Sequence, residues 1–252
     1  MTYIYTFANH KGGTGKSTSA LNIGAGLAAR NKKVLLIDLD PQTNLSVMLG
    51  IFDRPEITIY EVLSEDIDIN NSILTIKRNL NLIPSALDLS ALEIEISSKK
   101  GREILLKKVI SSINKKYDYI LIDASPSIGL LTINALVAAE KVFIPVQTEF
   151  IALNGLARFV EIIEKVSPLN PKLKIGGIIP TRYDSRKVLN RSVIDKINEI
   201  FPQYILKTII RENIAVAESI AAAQDIFEYA PKSNGANDYN ALVNEILKLK
   251  DK

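Results

Sequence analysis

The sequence has no cysteine and only one histidine, His10, among its 252 residues. The absence of cysteine excludes disulfide bonds, thiolate metal sites and iron–sulfur clusters held by cysteine. No continuous apolar run reaches about 18 residues, the length that predicts a membrane-spanning helix. The N-terminal segment TYIYTFA lacks the basic start and the small-residue cleavage site of a signal peptide. We therefore expect a cytoplasmic protein.

Composition and length favour one globular α/β domain. Hydrophobic residues make up 47% of the chain and charged residues 23%, which is ordinary for a globular protein. We find no internal repeat, low-complexity tract or linker, so we expect a single domain over residues 1–252. The first predicted strand begins almost at the first residue, and we therefore expect no N-terminal helix-turn-helix domain.

Short β-branched runs alternate along the chain with longer amphipathic segments. We predict strands at residues 3–8, 33–39, 80–85, 119–124, 141–146, 173–180 and 204–210. We predict helices at residues 16–30, 101–115, 129–139, 151–166, 187–200 and 238–249, with a short helix near 58–65. Near-continuous apolar runs such as residues 34–37 indicate strands buried on both faces. The sequence thus predicts an α/β fold, a doubly wound and mostly parallel sheet with helices on both faces.

The segment HKGGTGKST, residues 10–18, follows the first predicted strand and leads into the first predicted helix. In an open α/β sheet, ligands bind at this end of a strand. The three glycines allow the backbone N–H groups to point at an anion, and the helix N-terminus adds the positive end of its dipole. Lys16 would reach the β- and γ-phosphates of a nucleotide, and the Ser17 hydroxyl would bind Mg²⁺. The predicted nucleotide-binding residues are Gly12, Gly13, Thr14, Gly15, Lys16, Ser17 and Thr18.

Acidic residues follow two of the predicted buried strands. The segment VLLIDLDPQ ends with Asp38 and Asp40, and YILIDASPS carries Asp123. Carboxylates that emerge from buried strands are costly unless a cation, a basic side chain or water accompanies them. Asp123 fits the Mg²⁺-associated acid of nucleoside triphosphatases, with helix capping as the alternative. An Asp-Pro turn is the alternative for Asp38 and Asp40. Together with the glycine loop, these acids predict a nucleotide site.

Several motifs resemble those of the ParA/MinD family. KGGTGKST matches the deviant Walker A motif K-G-G-x-G-K-[ST]-[ST], and YDYILIDASPS resembles the Walker B segment of the family. VLLIDLDPQTN resembles the second motif, while PVQTEFIALNGL and KSNGANDY are similar to the ParA branch. The resemblance extends over essentially the whole chain. It implies a P-loop NTPase of the deviant Walker A type, similar to the ParA/Soj DNA partition ATPases.

The resemblance also implies roles for individual residues. Lys11 would be the signature lysine, which crosses a dimer interface to the phosphates of the other subunit. Asp40 matches the acid that orients or activates water, so the expected catalytic residues are Lys11, Lys16 and Asp40. Asp38, Asp123 and Ser17 would surround Mg²⁺. The implied cofactors are ATP and Mg²⁺, and the implied assembly is a homodimer in the ATP state.

The residue before the signature lysine departs from the family pattern. His10 stands where the family usually has glutamine. Because histidine titrates near neutral pH, this single histidine is a candidate for acid–base catalysis. Its neighbours are sufficient for hydrolysis, and we interpret His10 as a substitution that brings no new chemistry.

The resemblance implies nonspecific DNA and a ParB-type centromere-binding protein as partners, and hence association with the nucleoid. By position, the expected DNA-binding residues are Arg186, Lys187, Arg191 and Arg211. Contacts to DNA phosphates would weaken steeply with salt. The segment RENIAVAES departs from the family, since Glu212 and Ala215 occupy positions that are often basic. The basic clusters over residues 172–191 and 99–116 are equally consistent with solvated helix faces.

Three other functions are alternatives to ATP-dependent DNA partition. A MinD-like, membrane-associated positioning ATPase would need a C-terminal amphipathic helix. The segment YNALVNEILKLKDK has such spacing, but we expect its apolar residues to dock on the domain core and expect no stable membrane association. A nitrogenase-reductase-like carrier needs cluster cysteines, and a GTPase needs an N-K-x-D motif, which the chain lacks. By position alone, Thr181, Arg182 and the turn at Arg211 are candidates for the base pocket.

Overall fold

A computed structural model describes residues 2–149 and 152–249. These residues form seven strands: β1 (Tyr3–Phe7), β2 (Val34–Leu39), β3 (Leu74–Lys77), β4 (Leu80–Ile83), β5 (Tyr119–Ala124), β6 (Lys141–Gln147) and β7 (Lys174–Thr181). They make one sheet in the order β3-β4-β2-β5-β1-β6-β7. Every neighbouring pair is parallel except β3 and β4, which form an antiparallel edge. The predicted doubly wound, mostly parallel sheet is confirmed.

Helices cover both faces of the sheet. The described helices are α1 (Lys16–Ala29), α2 (Asn44–Met48), α3 (Ile59–Ser64), α4 (Leu89–Glu95), α5 (Leu105–Ser111), α6 (Leu130–Ala138), α7 (Ala152–Val166), α8 (Val188–Ile200), α9 (Ile214–Ala221), α10 (Ile226–Tyr229) and α11 (Asn234–Lys248). Successive strand residues point to opposite faces. Accordingly, Leu35 and Ile37 of β2 join one apolar cluster, while Val34 and Leu36 join the other. Both faces are therefore core, which explains the near-continuous apolar runs in the strands.

The predicted strand at residues 204–210 is wrong. This segment runs beside β7 and exchanges single hydrogen bonds with it, such as Leu206 N–H to Ile178 O (2.9 Å) and Ile210 N–H to Pro180 O (2.9 Å). It forms isolated bridges instead of a ladder. Pro180 has no N–H to donate, so a continuous ladder along this edge is interrupted there. Conversely, the sequence analysis predicts no strand at β3, because its four residues LTIK are too few to show a clear strand pattern.

The C-terminal helix α11 packs against α1. Its side chains Leu242, Val243 and Ile246 are completely buried. Gly26 of α1 permits the close approach, since an added Cβ there would lie 2.8 Å from Val243 Cγ2. The prediction that these apolar residues dock on the domain core is confirmed. No helix among the described residues is long and apolar enough to cross a membrane.

Candidate nucleotide-binding site

The glycine loop connects the end of β1 to the start of α1. Gly13 and Gly15 have φ angles of 73° and 90°, a left-handed conformation that favours glycine. Because Gly15 is the residue before α1, no side chain caps the first N–H groups of that helix. Side chains at the ends of β6 and β7 hold the loop in place. Gln147 Nε2 donates to Gly13 O (2.6 Å), and Thr181 Oγ1 donates to Thr14 O (2.9 Å). The result is a rigid loop whose uncapped helix end can receive an anion.

Lys16 is a buried cation at the first position of α1. Its Nζ donates to the Lys11 carbonyl at 3.4 Å, a long contact with a neutral group. Burial lowers the pKa of Lys16, while the nearby carboxylates Asp123 and Asp40 act in the opposite direction. An ammonium group with so little direct pairing is suited to an anionic ligand.

The acids Asp38 and Asp123 lie side by side, because β2 and β5 pair in that register. Asp38 is already engaged within the protein. Its Oδ2 accepts hydrogen bonds from Ser46 N–H (2.9 Å) and Ser46 Oγ (2.7 Å), and its Oδ1 accepts one from Asp40 N–H (3.2 Å). Burial raises the pKa of Asp38 to about 6, against the opposing effect of the Ser46 bonds. Its predicted contact with Mg²⁺ stays a prediction.

Asp123 differs from Asp38 in having unsatisfied oxygens. Both carboxylate oxygens are buried and accept no hydrogen bond of good geometry from a described residue. Burial and then Asp38 raise the pKa of Asp123 well above its usual range, although the Ser17 hydroxyl and Lys16 oppose the shift. No group of three acidic or histidine side chains within the described ranges could hold a metal ion alone. Ser17 and Asp123 instead fit an ion that shares its coordination with phosphates, as Mg²⁺ commonly does.

Asp40 is a buried acid that lines the cavity above the glycine loop. Its Oδ1 accepts a hydrogen bond from Gln42 N–H at 3.0 Å, which helps to fix the carboxylate. Burial raises its pKa, and Lys16 acts against that shift. Its location beside the loop suits the water-orienting role implied by the family resemblance.

The cavity has a volume of about 890 Å³ and extends from the glycine loop to the segment before α9. Thr181, Arg182 and Arg211, the positional candidates for the base pocket, all line it. Sequence reasoning missed the apolar wall, which is formed by Met48, Ile214, Val216 and Ile220. Asn213 caps α9 by accepting from Ala215 N–H, and an N-cap residue before an apolar run was the signal available for this helix.

The side chain of Lys11 contacts the end of β6 and the residues after it, and that of His10 contacts α7. Lys11 Nζ lies 3.0 Å from Glu149 Oε2 and 3.5 Å from Gln147 Oε1. The His10 ring stacks on Phe159 with centroids 6.4 Å apart. Burial, followed by the charge of Arg158, lowers the pKa of His10. The imidazole therefore packs against α7, and the interpretation that it brings no new chemistry stays a prediction.

Three of the four predicted DNA-binding residues are held in ion pairs. Arg186 pairs with Asp184 (2.9 Å), and Lys187 pairs with Glu212 (3.3 Å). Arg211 pairs with the buried carboxylate of Asp238 (2.6 Å) and also lines the nucleotide cavity. Arg191 is exposed on α8. The structure thus brings Arg186 and Lys187 together and places Arg211 beside the cavity.

A glycine loop between strand and helix, with acids at the ends of two adjacent parallel strands, defines the P-loop nucleotide-binding class of α/β proteins. Residues 2–175 match a family described as an AAA domain. The chain is 41% identical over 243 residues to the chromosome-partitioning ATPase Soj of Treponema pallidum, covering 96% of this chain and 95% of Soj. It is 39% identical over 248 residues to the chromosome partitioning protein ParA of Myxococcus xanthus, covering 97% and 88%.

Solved structures give the same fold. Cobyrinic acid a,c-diamide synthase of Mycobacterium smegmatis, with bound ADP and magnesium, matches with a TM-score of 0.89 and 32% identity, over 100% of this chain and 96% of that one. The septum site-determining protein MinD of Pyrococcus horikoshii, complexed with Mg-ADP, matches with a TM-score of 0.82 and 28% identity, over 99% and 98%. The chain belongs to the ParA/Soj family of chromosome-partitioning ATPases.

Proposed function

We propose that this protein is a Mg²⁺-dependent ATPase that dimerises with ATP, binds nonspecific DNA in that state and is reset by hydrolysis to ADP and phosphate. The observation that carries this proposal is a single cavity that joins the glycine loop, Lys16, Asp40 and an apolar wall. The volume and lining of the cavity suit a nucleotide, with phosphates at the loop and the base at α9. Family membership supports partition of plasmid or chromosomal DNA as the biological role.

Each polar group at the loop has a distinct task in this proposal. Lys16 and the loop N–H groups bind the phosphates, and Asp40 orients the attacking water. Ser17 and Asp123 would hold Mg²⁺, with Asp38 beside them, and the bound ion would supply positive charge at the phosphate oxygens. The unsatisfied oxygens of Asp123 support its assignment in particular.

Lys11 acts across the dimer interface in this proposal. In the single chain it contacts Glu149, so it must leave that carboxylate to reach the phosphates of the partner. A second lysine at the transferring phosphate stabilises its charge. Delivery from the other subunit makes dimerisation depend on the triphosphate.

The dimer is proposed to contact DNA phosphates through Arg186, Lys187, Arg191 and Arg211. Arg186 and Lys187 would exchange their present carboxylate partners for phosphate oxygens. A ParB-type centromere-binding protein is the proposed stimulating partner, because relatives are named as chromosome-partitioning proteins. This role places the protein in the cytoplasm, on the nucleoid.

A MinD-like, membrane-associated function is the alternative, and the structural match to MinD favours considering it. The C-terminal helix argues against it. Leu242, Val243 and Ile246 are buried against the domain, so they are withdrawn from lipid.

The deciding experiment compares ATP-dependent binding of the full chain to a nonspecific DNA duplex and to anionic vesicles. We expect binding to DNA only. ATP-dependent binding to vesicles but not to DNA would instead establish the MinD-like function.

Three variants test the roles of single residues. Lys16→Ala should abolish ATP binding. Lys11→Ala should keep nucleotide binding but should not dimerise, as measured by light scattering. Asp40→Ala should give a long-lived ATP dimer with little turnover.

A further inference from the structure

The turn that follows β7 and leads into α8 is close to neutral, although the proposed DNA contacts begin there. It carries three exposed cations, Arg182, Arg186 and Lys187. Two carboxylates pair with them, that of Asp184 in the same turn and that of Glu212 in the segment before α9. One positive charge is left in excess, and a surface with so small a charge attracts a phosphate backbone weakly.

Each carboxylate holds a cation that is proposed to bind DNA. Asp184 accepts two hydrogen bonds from the Arg186 guanidinium, one from Nε and one from Nη2, each at 2.9 Å. Glu212 accepts one from Lys187 Nζ (3.3 Å) and one from Arg182 Nη2 (3.2 Å). A cavity of about 160 Å³ beside the turn is lined by both carboxylates together with Arg186. The carboxylates therefore compete with an incoming phosphate for the same cations.

The two carboxylates differ in how closely they belong to the turn. Asp184 Oδ1 also accepts the backbone N–H of Arg186 (3.0 Å), so Asp184 shapes the turn itself. The Glu212 side chain is 44% exposed, and its ion-pair partners among the described residues are the side chains of Arg182 and Lys187. Replacing Glu212 with a neutral residue would therefore free Lys187 without removing a backbone hydrogen bond of the turn.

The backbone of the turn is anchored to the sheet. Asp184 N–H donates to Oδ1 of the buried Asn190 (2.9 Å), and Asn190 Nδ2 donates to Thr148 O (2.5 Å). Thr148 N–H in turn donates to Thr181 O at the end of β7 (3.1 Å). Because this backbone is fixed, Lys187 can exchange its carboxylate partner for a phosphate by rotation of its side chain alone. Exposed side chains make such rotations in picoseconds to nanoseconds.

We propose that Glu212 is an internal competitor of DNA, which holds Lys187 in the single chain and keeps the DNA affinity of one chain low. This inference rests on the proposed binding of DNA by the ATP dimer. An exposed ion pair is weak, so the competition at each site is modest and does not prevent binding. A dimer brings two such sites to one duplex, and its affinity gains from both. After hydrolysis, each separated chain has one site with an internal competitor and leaves the DNA.

The test measures binding of a fluorescent 24-base-pair duplex to the full chain by anisotropy, in salt titrations with and without Mg²⁺–ATP. Glu212→Gln keeps the size of the side chain and removes its charge. We expect it to strengthen nucleotide-free binding at least about threefold near 50 mM salt, and to steepen the salt slope by about one, for the lysine released to a phosphate. With ATP the gain should be at least as large, because the dimer carries two copies of the site.

Glu199→Gln is the matched control. It removes the same charge from an exposed glutamate that pairs with a lysine of α8, Lys196 (2.9 Å), and should change nucleotide-free affinity less than about twofold. A double-mutant cycle then assigns the gain to one cation. Lys187→Gln should weaken DNA binding more in the Glu212→Gln chain than in the wild type, because the lysine is released only there. ATP affinity is measured in parallel, because Glu212 also lines the nucleotide cavity.

Unchanged or weaker nucleotide-free binding of Glu212→Gln would overturn the inference, and so would an equal gain in Glu199→Gln. Failure of the proposed function has a different signature, which is a wild-type chain that binds no DNA with ATP. Even then, a gain in Glu212→Gln would support internal competition, and the absence of a gain would overturn it.

Discussion

The buried carboxylate of Asp123 lowers the stability of the folded protein when no cation is bound beside it. Both of its oxygens are buried without a good hydrogen bond from a described donor. We predict that Asp123→Asn increases the free energy of unfolding of the nucleotide-free protein by about 1–3 kcal/mol, because the buried charge is removed. Chemical denaturation measures this gain, and Mg²⁺-dependent nucleotide affinity should fall in the same variant. A variant that is less stable than the wild type would show that the carboxylate has a structural partner.

The gain should also depend on pH. The pKa of Asp123 is raised in the folded state. Below the unfolded pKa of about 4, both states are protonated and the carboxyl has no destabilising effect. As the pH rises, the unfolded state ionises first, so wild-type stability falls until the folded pKa is passed. The stability advantage of Asp123→Asn should therefore be larger at about pH 8 than at about pH 5.

Lys11 is held by its own chain through Glu149. We predict that Glu149→Gln lowers the ATP concentration needed for half-maximal dimerisation by up to about fivefold, because an exposed ion pair is worth about 0.2–1 kcal/mol. Light scattering during an ATP titration measures the shift. Glu199→Gln, which removes the exposed partner of Lys196, is the matched control and should leave the titration unchanged. Weaker dimerisation of Glu149→Gln would mean that Glu149 contributes to the dimer itself.

At the scale of elements, α11 tests where the C-terminal apolar residues belong. Leu242 is completely buried against the domain. We predict that Leu242→Ala lowers the free energy of unfolding by about 2–5 kcal/mol through the cavity it leaves. Denaturant unfolding measures the loss, and the exposed control Lys248→Ala should stay within about 0.5 kcal/mol of the wild type. A small effect of Leu242→Ala would reopen a role for this helix outside the core.

The elements also show what the sequence could predict. The sequence predicts that the glycine loop and the acids Asp38 and Asp123 lie at the ends of strands. It can do so because each prediction depends only on one strand and the residues that follow it. The segment at residues 204–210 looked like a strand, but its pairing depends on Pro180 of another element. The ion pairs of Lys187 with Glu212 and of Arg211 with Asp238 likewise depend on the fold, because their acidic partners lie 25 and 27 residues away along the chain. The short helix α9, which forms most of the apolar wall, is hard to predict from the sequence, because its only signals are the Asn213 cap and a run of eight residues.

At the scale of the whole molecule, the nucleotide should stabilise the fold as a ligand does. We predict that Mg²⁺–ATP at about 100 times its Kd adds about 2.7 kcal/mol of stability. For a chain of this length, that gain raises the Tm by about 5–10 °C. Scanning calorimetry measures the shift, and Lys16→Ala should show none. A shift that persists in Lys16→Ala would place the bound nucleotide elsewhere.

The parallel sheet gives the molecule two unlike ends, because the parallel strands all end at the side that carries the glycine loop. A dimer joined at its nucleotide ends would therefore hold the starts of these strands far from the bound nucleotide. A fluorescent label attached near the strand starts should report on the dimer without disturbing its assembly.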